Sequence, residues 1–325
     1  VSVGLDLGTT EFRSIRNSSD DLVARRCRAS YLVVKDTPGH RRLVEHAQAR
    51  HGVCGDDLVV FGDDALECGE MLDLPVIPLL RDGRLPSADP VARQILALMV
   101  EAVLPAAEQN GTACCLTVPG GYGLEGDAQS LDVRLLKQLV ALRGYTPQLI
   151  SSGLAVVLAE LSCASFSGLG ISLGATNCEV AVIHCGRELA RCTVPGRLGE
   201  LHEAFPHVQN SSADQSPDGL GESLRAVWER SLLRVLAAIL SEARESLESE
   251  GSIRMIQQPV SVACTGGITV SENFPSLFQQ AWNQAGWPVR VAQTRLSANP
   301  HFAIARGCLI KAIFEGQPAA NRRVA

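Results

Sequence analysis

Residues 4 to 13, GLDLGTTEFR, return at residues 170 to 179 as GISLGATNCE, with the aspartate of the first copy replaced by serine in the second. A chain that writes one short turn twice, about half its length apart, points to a duplicated domain. In the first copy, VSVGLDLGTTEFRSI is an apolar strand, a Gly-Thr-Thr turn and a second strand whose alternation runs through Phe12 and Ile15. No helical stripe follows the glycine, so the period predicts a β-hairpin. The second copy, GISLGATNCEVAVIHCG, predicts the same strand, turn and strand.

Length agrees with duplication. At 325 residues the chain exceeds what one hydrophobic core usually serves, so two domains are expected. A composition of 46% hydrophobic and 20% charged residues predicts a soluble globular protein, and 4% aromatics predicts cores of Leu, Val, Ile and Ala. A net charge of -6 gives no footprint for nucleic acid, and no window is apolar for long enough to span a bilayer. No secretory leader pattern precedes the first strand; because the first residue is Val1, a trimmed extension stays open. Eleven cysteines lack a repeated CxxC spacing, and Cys114, Cys115, Cys178, Cys185, Cys264 and Cys308 lie in apolar runs. They predict small buried side chains in a reducing, cytoplasmic compartment rather than a metal or redox site.

Between the two hairpins, DPVARQILALMVEAV predicts an amphipathic helix opened by Asp89 with Pro90 at its first position. HRRLVEHAQARHG reads as a small helix or an exposed loop, ACCLTV as a buried strand entering a Pro-Gly-Gly loop, and DAQSLDVRLLKQLVALRGY as a helix stopped by Gly144. A strand, TPQLISS, and a helix, GLAVVLAEL, close the first half. The second half runs through the strand RELARCTVPG, a polar loop NSSADQSPDG, a long helix from about Glu222 to Glu248, the strand VSVACTGG, a helix from Phe274 to Ala285 and a last helix through NPHFAIARGCLIKAIFEG.

A turn of Gly, Thr and small residues between strands exposes successive backbone N–H groups, which suit phosphate oxygens, and the Thr9 and Thr10 hydroxyls add donors. Two such turns can hold a polyphosphate from both sides. Asp6, one strand position before the first turn, then suits a hydrated Mg²⁺. Gly266 and Gly267, after an apolar strand, allow a ring or ribose to approach the backbone.

In these residues the chain resembles the superfamily of actin, DnaK-type heat-shock chaperones and MreB. Five segments stand in that family's order: GLDLGTTEFR as the first phosphate motif, LISSGLAVVLAEL as the first connecting motif, ISLGATNCEVAVI as the second phosphate motif, ACTGGITV as the adenosine motif, and NPHFAIARGCLIKA as the second connecting motif. CLTVPGGYGLEGDAQSLDVRLLKQLVALRGY is similar to the chaperones, and PLLRDGRLPSADP to MreB. The resemblance implies an α/β, duplicated actin-like ATPase fold: two ribonuclease H-like domains with five-stranded mixed sheets flanking a nucleotide cleft, here 1–151 with 304–325, and 152–303. It implies ATP or ADP with Mg²⁺ as cofactors, Asp6 at the metal, and Gly8, Thr9 and Thr10 at the β-phosphate. Gly174, Ala175, Thr176 and Asn177 would face the phosphates from the other side, Gly266 and Gly267 would lie by the adenosine, Gly199 and Glu200 by the ribose, and Arg244 by the adenine.

The departures are specific. Ser172 stands where the family has an aspartate, and Ala175 and Thr176 replace two glycines. In the first connecting motif Ser152 replaces the Glu or Gln that helps position water, and Gly153 follows in place of proline. Serine carries no charge to orient water near magnesium. Glu179 remains, read as one strand position further along. Val270 stands near the place of the chaperones' adenine-clamping arginine, and the chaperones' phosphate-binding lysine has no evident counterpart. The expectation is a purine-nucleotide-dependent conformational switch with slow or lost ATP hydrolysis. Beside it stand an MreB-like filament former, a phosphotransferase, and a scaffold without nucleotide; the partners expected are a purine nucleotide and either a second copy of the chain or another protein.

Overall fold

The computed structural model describes residues 2–17, 21–81, 83–84, 89–119, 131–195, 197–204, 222–256 and 258–316. Two compact units result: Val1–Leu149 with Ala312–Ala325, and Ile150–Lys311. The expected Pro-Gly-Gly loop, the start of the helix after it, and the polar loop NSSADQSPDG lie outside the described residues.

The first unit opens with β1 (Ser2–Leu7), β2 (Glu11–Asn17), β3 (Leu22–Arg28) and β4 (Ser30–Lys35). After α1 (Pro38–His46) come β5 (His51–Cys54), β6 (Asp57–Phe61), α2 (Asp63–Leu72) and β7 (Ile77–Pro78). It continues with α3 (Pro90–Val103), β8 (Thr112–Thr117), α4 (Leu131–Leu142) and β9 (Tyr145–Leu149). Its main sheet has the order β3-β2-β1-β8-β9. The three hairpin-linked strands are antiparallel, and β1 pairs parallel with β8. Leu5, Leu7 and Phe12 are buried in one cluster with Ile95, Leu96 and Met99 of α3. That helix starts as expected, with the Asp89 carboxylate accepting from the Val91 and Ala92 N–H groups and Pro90 following the cap.

The second unit repeats this plan with α5 (Ser152–Glu160), β10 (Gly168–Leu173), β11 (Asn177–His184), β12 (Arg187–Pro195), α6 (Arg197–Ala204) and α7 (Glu222–Ser249). Next come β13 (Val260–Thr265), a short 3-10 turn (Gly267–Val270), α8 (Phe274–Ala285) and β14 (Val291–Leu296). The last helix, α9 (Ala303–Gly316), ends the described chain. The sheet order β12-β11-β10-β13-β14 matches the first strand for strand, with β10 parallel to β13. The two mixed sheets give the α/β fold expected of a duplicated actin-like chain. Leu232, Leu236 and Leu240 of α7 pack with Phe274, Phe278 and Trp282 of α8 on Ile171, Val180 and Val262. Trp282 stacks on Trp287 at 4.9 Å, and the Trp287 Nε1–H donates to the Leu240 carbonyl at 3.1 Å.

Three features depart from the sequence reading. The segment HRRLVEHAQARHG takes the helical one of its two expected forms in α1, but the separate four-stranded sheet of order β5-β6-β4-β7 that it covers, with its own small core, was not read from the sequence. Strand β14 was not foreseen, because QTR interrupts its apolar pattern and it lies at a sheet edge where most of its side chains are exposed. Cys185 is exposed, in contrast to the buried place expected for it, because the chain turns there at φ +48 between β11 and β12. The other five cysteines of that group are buried, and all eleven are free thiols.

Helix α5 lies tightly against its neighbours. A Cβ on Gly170 of β10 would fall 2.0 Å from the Gly153 carbonyl, and one on Gly307 of α9 would fall 1.9 Å from the Ala155 carbonyl. Backbone cannot yield cheaply at such distances, so these positions are closed to any side chain. Replacing Gly307 by Ala should destabilise the chain by about 2–3 kcal/mol in urea titration, whereas exposed Gly55→Ala, with open space at its Cβ but φ +63, should cost about 1 kcal/mol.

Candidate functional site

Each unit brings a hairpin turn beside the end of a parallel strand. In the first, β1 and β2 pair so that Asp6 faces Arg13, and β1 and β8 pair so that Asp6 also neighbours Thr117. Asp6 is buried; the Thr117 hydroxyl donates to its Oδ1 at 2.8 Å, and Arg13 Nη1 stands 3.8 Å from its Oδ2. Burial pushes the Asp6 carboxyl above the ordinary aspartate range, against the pull of Arg13 and Thr117. Arg13 is anchored by Glu11, with Nη2 donating at 2.5 Å and Nε at 2.9 Å. Burial alone would raise Glu11, but the Arg13 guanidinium, with Arg26 and Arg28 nearby, holds it below the usual range.

The turn itself is tight. The Gly8 N–H donates to the Glu11 carbonyl at 3.1 Å, and a Cβ on Gly8 would fall 2.9 Å from that oxygen. Thr9 and Thr10 form the bend, Thr10 exposed, and the Thr10 carbonyl accepts from Ala29 N–H at 2.8 Å.

The second unit carries the same frame with other chemistry. Ser172 takes the place of Asp6, facing Glu179 on β11 and Thr265 on β13. With no carboxylate to hold, the Thr265 hydroxyl donates to the Pro300 carbonyl at 3.3 Å instead. A Cβ on Gly174 would fall 2.5 Å from the Asn177 carbonyl, so this turn too admits only glycine at its first corner. Ala175 and Thr176 continue it, and Asn177 Nδ2 donates to Thr176 Oγ1 at 3.3 Å. Gly199 of α6 comes against this turn, its would-be Cβ 3.3 Å from the Ala175 carbonyl. Glu200 follows it in α6. Gly266, at φ +150, packs where a Cβ would lie 2.3 Å from the Leu173 carbonyl, and Gly267 opens the 3-10 turn beside it. The structure therefore gathers Ser172, Gly174–Asn177, Gly199, Gly266 and Gly267 within one unit.

Arg244 is not gathered there. It sits on α7 beside Gly286, which ends α8, and pairs with Glu245 and Glu248. A helix of 12 residues, about 18 Å long, separates that end of α8 from the end nearest Gly266 and Gly267. The residues that do stand at the near end are Asn273, Glu229 and Arg225: Asn273 Nδ2 donates to Glu229 Oε1 at 2.5 Å, and Arg225 Nε lies 3.4 Å from the same oxygen.

Glu179 has a position the sequence reading misjudged: it lies directly across from Ser172 rather than one place further along. Its Oε1 accepts from the Gly153 N–H at 2.6 Å, at the first turn of α5, and Arg191 Nη1 stands 4.0 Å from its Oε2. A carboxylate is favoured at a helix N-terminus, and this one answers a backbone donor that proline at 153 would lack. Beside it Ser151 caps α5, accepting from Leu154 N–H at 3.1 Å and donating to Glu188, which pairs with Arg191. Burial pushes Glu179 above the ordinary range, opposed by the Gly153 N–H and by Arg191. The carboxylate that faces Ser172 is thus engaged in holding a helix.

The family's sequence model matches residues 1–312. The chain belongs to the volactin family. No curated protein matches this volactin-family sequence. Among solved structures the volactin-family chain is similar to a MamK double helical filament, at TM-score 0.62 and 16% identity over 97% of this chain and 99% of that one. It is similar also to MreB 5 of Spiroplasma citri bound to AMPPNP (TM-score 0.61, 15% identity, 96% and 95% covered). A third is the ethanolamine utilization protein EutJ from Carboxydothermus hydrogenoformans (TM-score 0.54, 14% identity, 95% and 89% covered). At these identities the likeness establishes the actin-like fold of the volactin-family chain.

Two measurements check the site's electrostatics. The raised Asp6 pKa means that the folded chain binds this proton more tightly than the unfolded one, so the stability it contributes is full below the ordinary aspartate pKa and is lost as pH rises through the native value. Asp6→Asn, which keeps an acceptor for Thr117, should raise the melting temperature at pH 7 and lose that advantage near pH 4. Glu179→Ala should cost about 1–3 kcal/mol in denaturant titration by orphaning the Gly153 N–H.

Proposed function

We propose that this chain binds a magnesium purine nucleotide, ATP before hydrolysis or ADP after it, and uses it as a conformational switch with slow or lost turnover. The observation that carries the reading is the pair of glycine turns in identical sheet frames, of which only the first has a buried carboxylate on the strand that enters the turn, Asp6, where the second has Ser172.

The residues fit the group they would hold. Gly8, Gly174 and Gly266 let the chain fold back tightly on its own carbonyls at these turns, and the Gly8–Thr10 turn offers backbone and hydroxyl donors. Among the described residues no cluster of three His, Cys, Asp or Glu side chains could hold a metal. A cation at Asp6 would therefore draw most of its oxygens from phosphate and water, as Mg²⁺ commonly does. Arg13, already beside Asp6, supplies the positive charge for which no lysine was evident in the sequence. Asp6 would face the metal, Gly8, Thr9, Thr10 and Gly174–Asn177 the phosphates, Gly199 and Glu200 the ribose, and Gly266 and Gly267 the adenosine. Asn273 and Glu229, at the end of α8 nearest Gly266 and Gly267, would add polar groups on the adenosine side.

The turnover step lacks its carboxylates. Ser152 and Ser172 cannot take a proton at neutral pH, and Glu179 is held by the α5 N–H groups and Arg191. Binding without rapid hydrolysis follows, and the switch would be the difference between nucleotide-bound and nucleotide-free chains. No helix among the described residues is long and apolar enough to cross a membrane, and the free thiols suit a cytoplasmic setting.

A second reading, self-assembly into filaments, is favoured by the likeness to the MamK filament over nearly the whole of both chains. Sedimentation and electron microscopy with and without nucleotide test it.

Calorimetry of MgATP and MgADP, with phosphate release followed on the same sample, tests the first reading. The expected result is saturable binding, weakened at least about tenfold by Asp6→Ala, with turnover far below the few per second common among enzymes. No heat with either nucleotide would overturn it.

A further inference from the structure

On the sheet face opposite Asp6, the first unit has a cavity of about 180 Å³ between β1, β2 and β3 and the C-terminal end of α3. Strand pairing sets its contents: Val3 faces Arg16, Arg16 faces Val23, and Ser14 faces Arg25, so these side chains share one face while Asp6 and Arg13 share the other. Its walls are aliphatic, from Val3, Val23 and the Val103–Pro105 segment.

The polarity left in this cavity has one sign. The carbonyls at the end of α3 are already taken: Ser14 Oγ donates to Val103 at 2.5 Å, Arg143 Nε to Leu104 at 3.1 Å and Tyr145 Oη to Pro105 at 3.0 Å. Arg16 pairs with Glu108, yet its buried Nε–H has no acceptor. Arg25 adds a second guanidinium, so among the described residues lining the cavity two cations meet one carboxylate. A buried donor without a partner is unfavourable, and an incoming carboxylate would supply the missing acceptor.

The opening lies along β3, the edge strand of its sheet, where Leu22–Arg26 are all exposed and Leu22 is 67% accessible. An edge presents free backbone donors and acceptors to an extended peptide. Arg28 is paired with Asp63, and Arg25 and Arg26 decide what that peptide is: the same edge of a second copy would bring like charges together, whereas an acidic strand is complementary.

We propose that the β3 edge and this cavity bind an extended acidic segment of a partner protein, one carboxylate held by Arg16 and Arg25 and an aliphatic side chain two residues away against Val23 and Pro105. The site is separate from the phosphate turns and does not depend on nucleotide.

The test uses the full chain and a fluorescein-labelled peptide Ser-Glu-Thr-Val-Thr-Glu-Gly, in which each Glu lies two residues from the Val and on the same face of the strand, with its Gln-for-Glu and Lys-for-Glu counterparts, read by anisotropy. The Glu peptide should bind, the Gln peptide at least about tenfold more weakly and the Lys peptide not at all. Arg25→Gln, on the exposed strand, and Arg16→Gln should each weaken binding about tenfold or more, while Arg290→Gln in the other unit leaves it unchanged. Absence of binding at millimolar peptide, equal binding of the Glu and Gln peptides, or wild-type affinity in both arginine variants would overturn the proposal. So would a change in the sedimentation of the chain alone on Arg25→Gln, since a second copy would then be the occupant.

Discussion

Everything at the two turns depends on hairpin register. Asp6 faces Arg13 and Ser172 faces Glu179 because each turn joins its strands at one fixed offset, and a slip of one residue would send these polar groups into the apolar core. The parallel neighbours β8 and β13 then bring Thr117 and Thr265 to equivalent places. Burial of Leu5, Leu7 and Phe12 on one face, and of Ile171, Val180 and Val262 in the other unit, makes that slip costly. Core packing thereby fixes the positions of groups that take no part in the core.

Within this shared frame the halves have parted in charge. The first places a carboxylate between a hydroxyl and a guanidinium, a local arrangement suited to holding a cation or phosphate. The second moves its carboxylate to the facing strand, where a helix N-terminus and Arg191 engage it. The hydroxyl that would have served a carboxylate at 172 has found the Pro300 carbonyl. Satisfied hydrogen bonds in both halves indicate two settled solutions rather than one intact site and one damaged copy.

Much of the fold was readable in the sequence because its signals are local. The Asp89-Pro90 cap gave the start of α3, the 3.6-residue stripe gave α7 and α8, and alternation through Phe12 and Ile15 gave the first hairpin. Strand β14 was hidden because an exposed edge needs no apolar alternation. At the site, glycines announced the turns, but Arg13 and Thr117 were missed: one is visible only after the hairpin is folded in register, the other only after a strand over a hundred residues away is laid beside it. The neighbours of Arg244 were hidden for the same reason, since position on a long helix does not say which residues of the next helix it meets.

The N–H of Gly153 binds the second half's changes together. Glu179 is held because residue 153 has a donor, and α5 can approach β10 and β11 because residue 153 has no side chain, its would-be Cβ lying 2.5 Å from that of Ala181. Restoring proline there would release a buried charge and force a ring into packed backbone at once. Restoring a longer acid at 152 or 172 alone would set a second carboxylate near the first. Single substitutions at 152, 153 or 172 therefore each meet a packing or charge conflict already built into this half of the molecule, and only combined changes would avoid it.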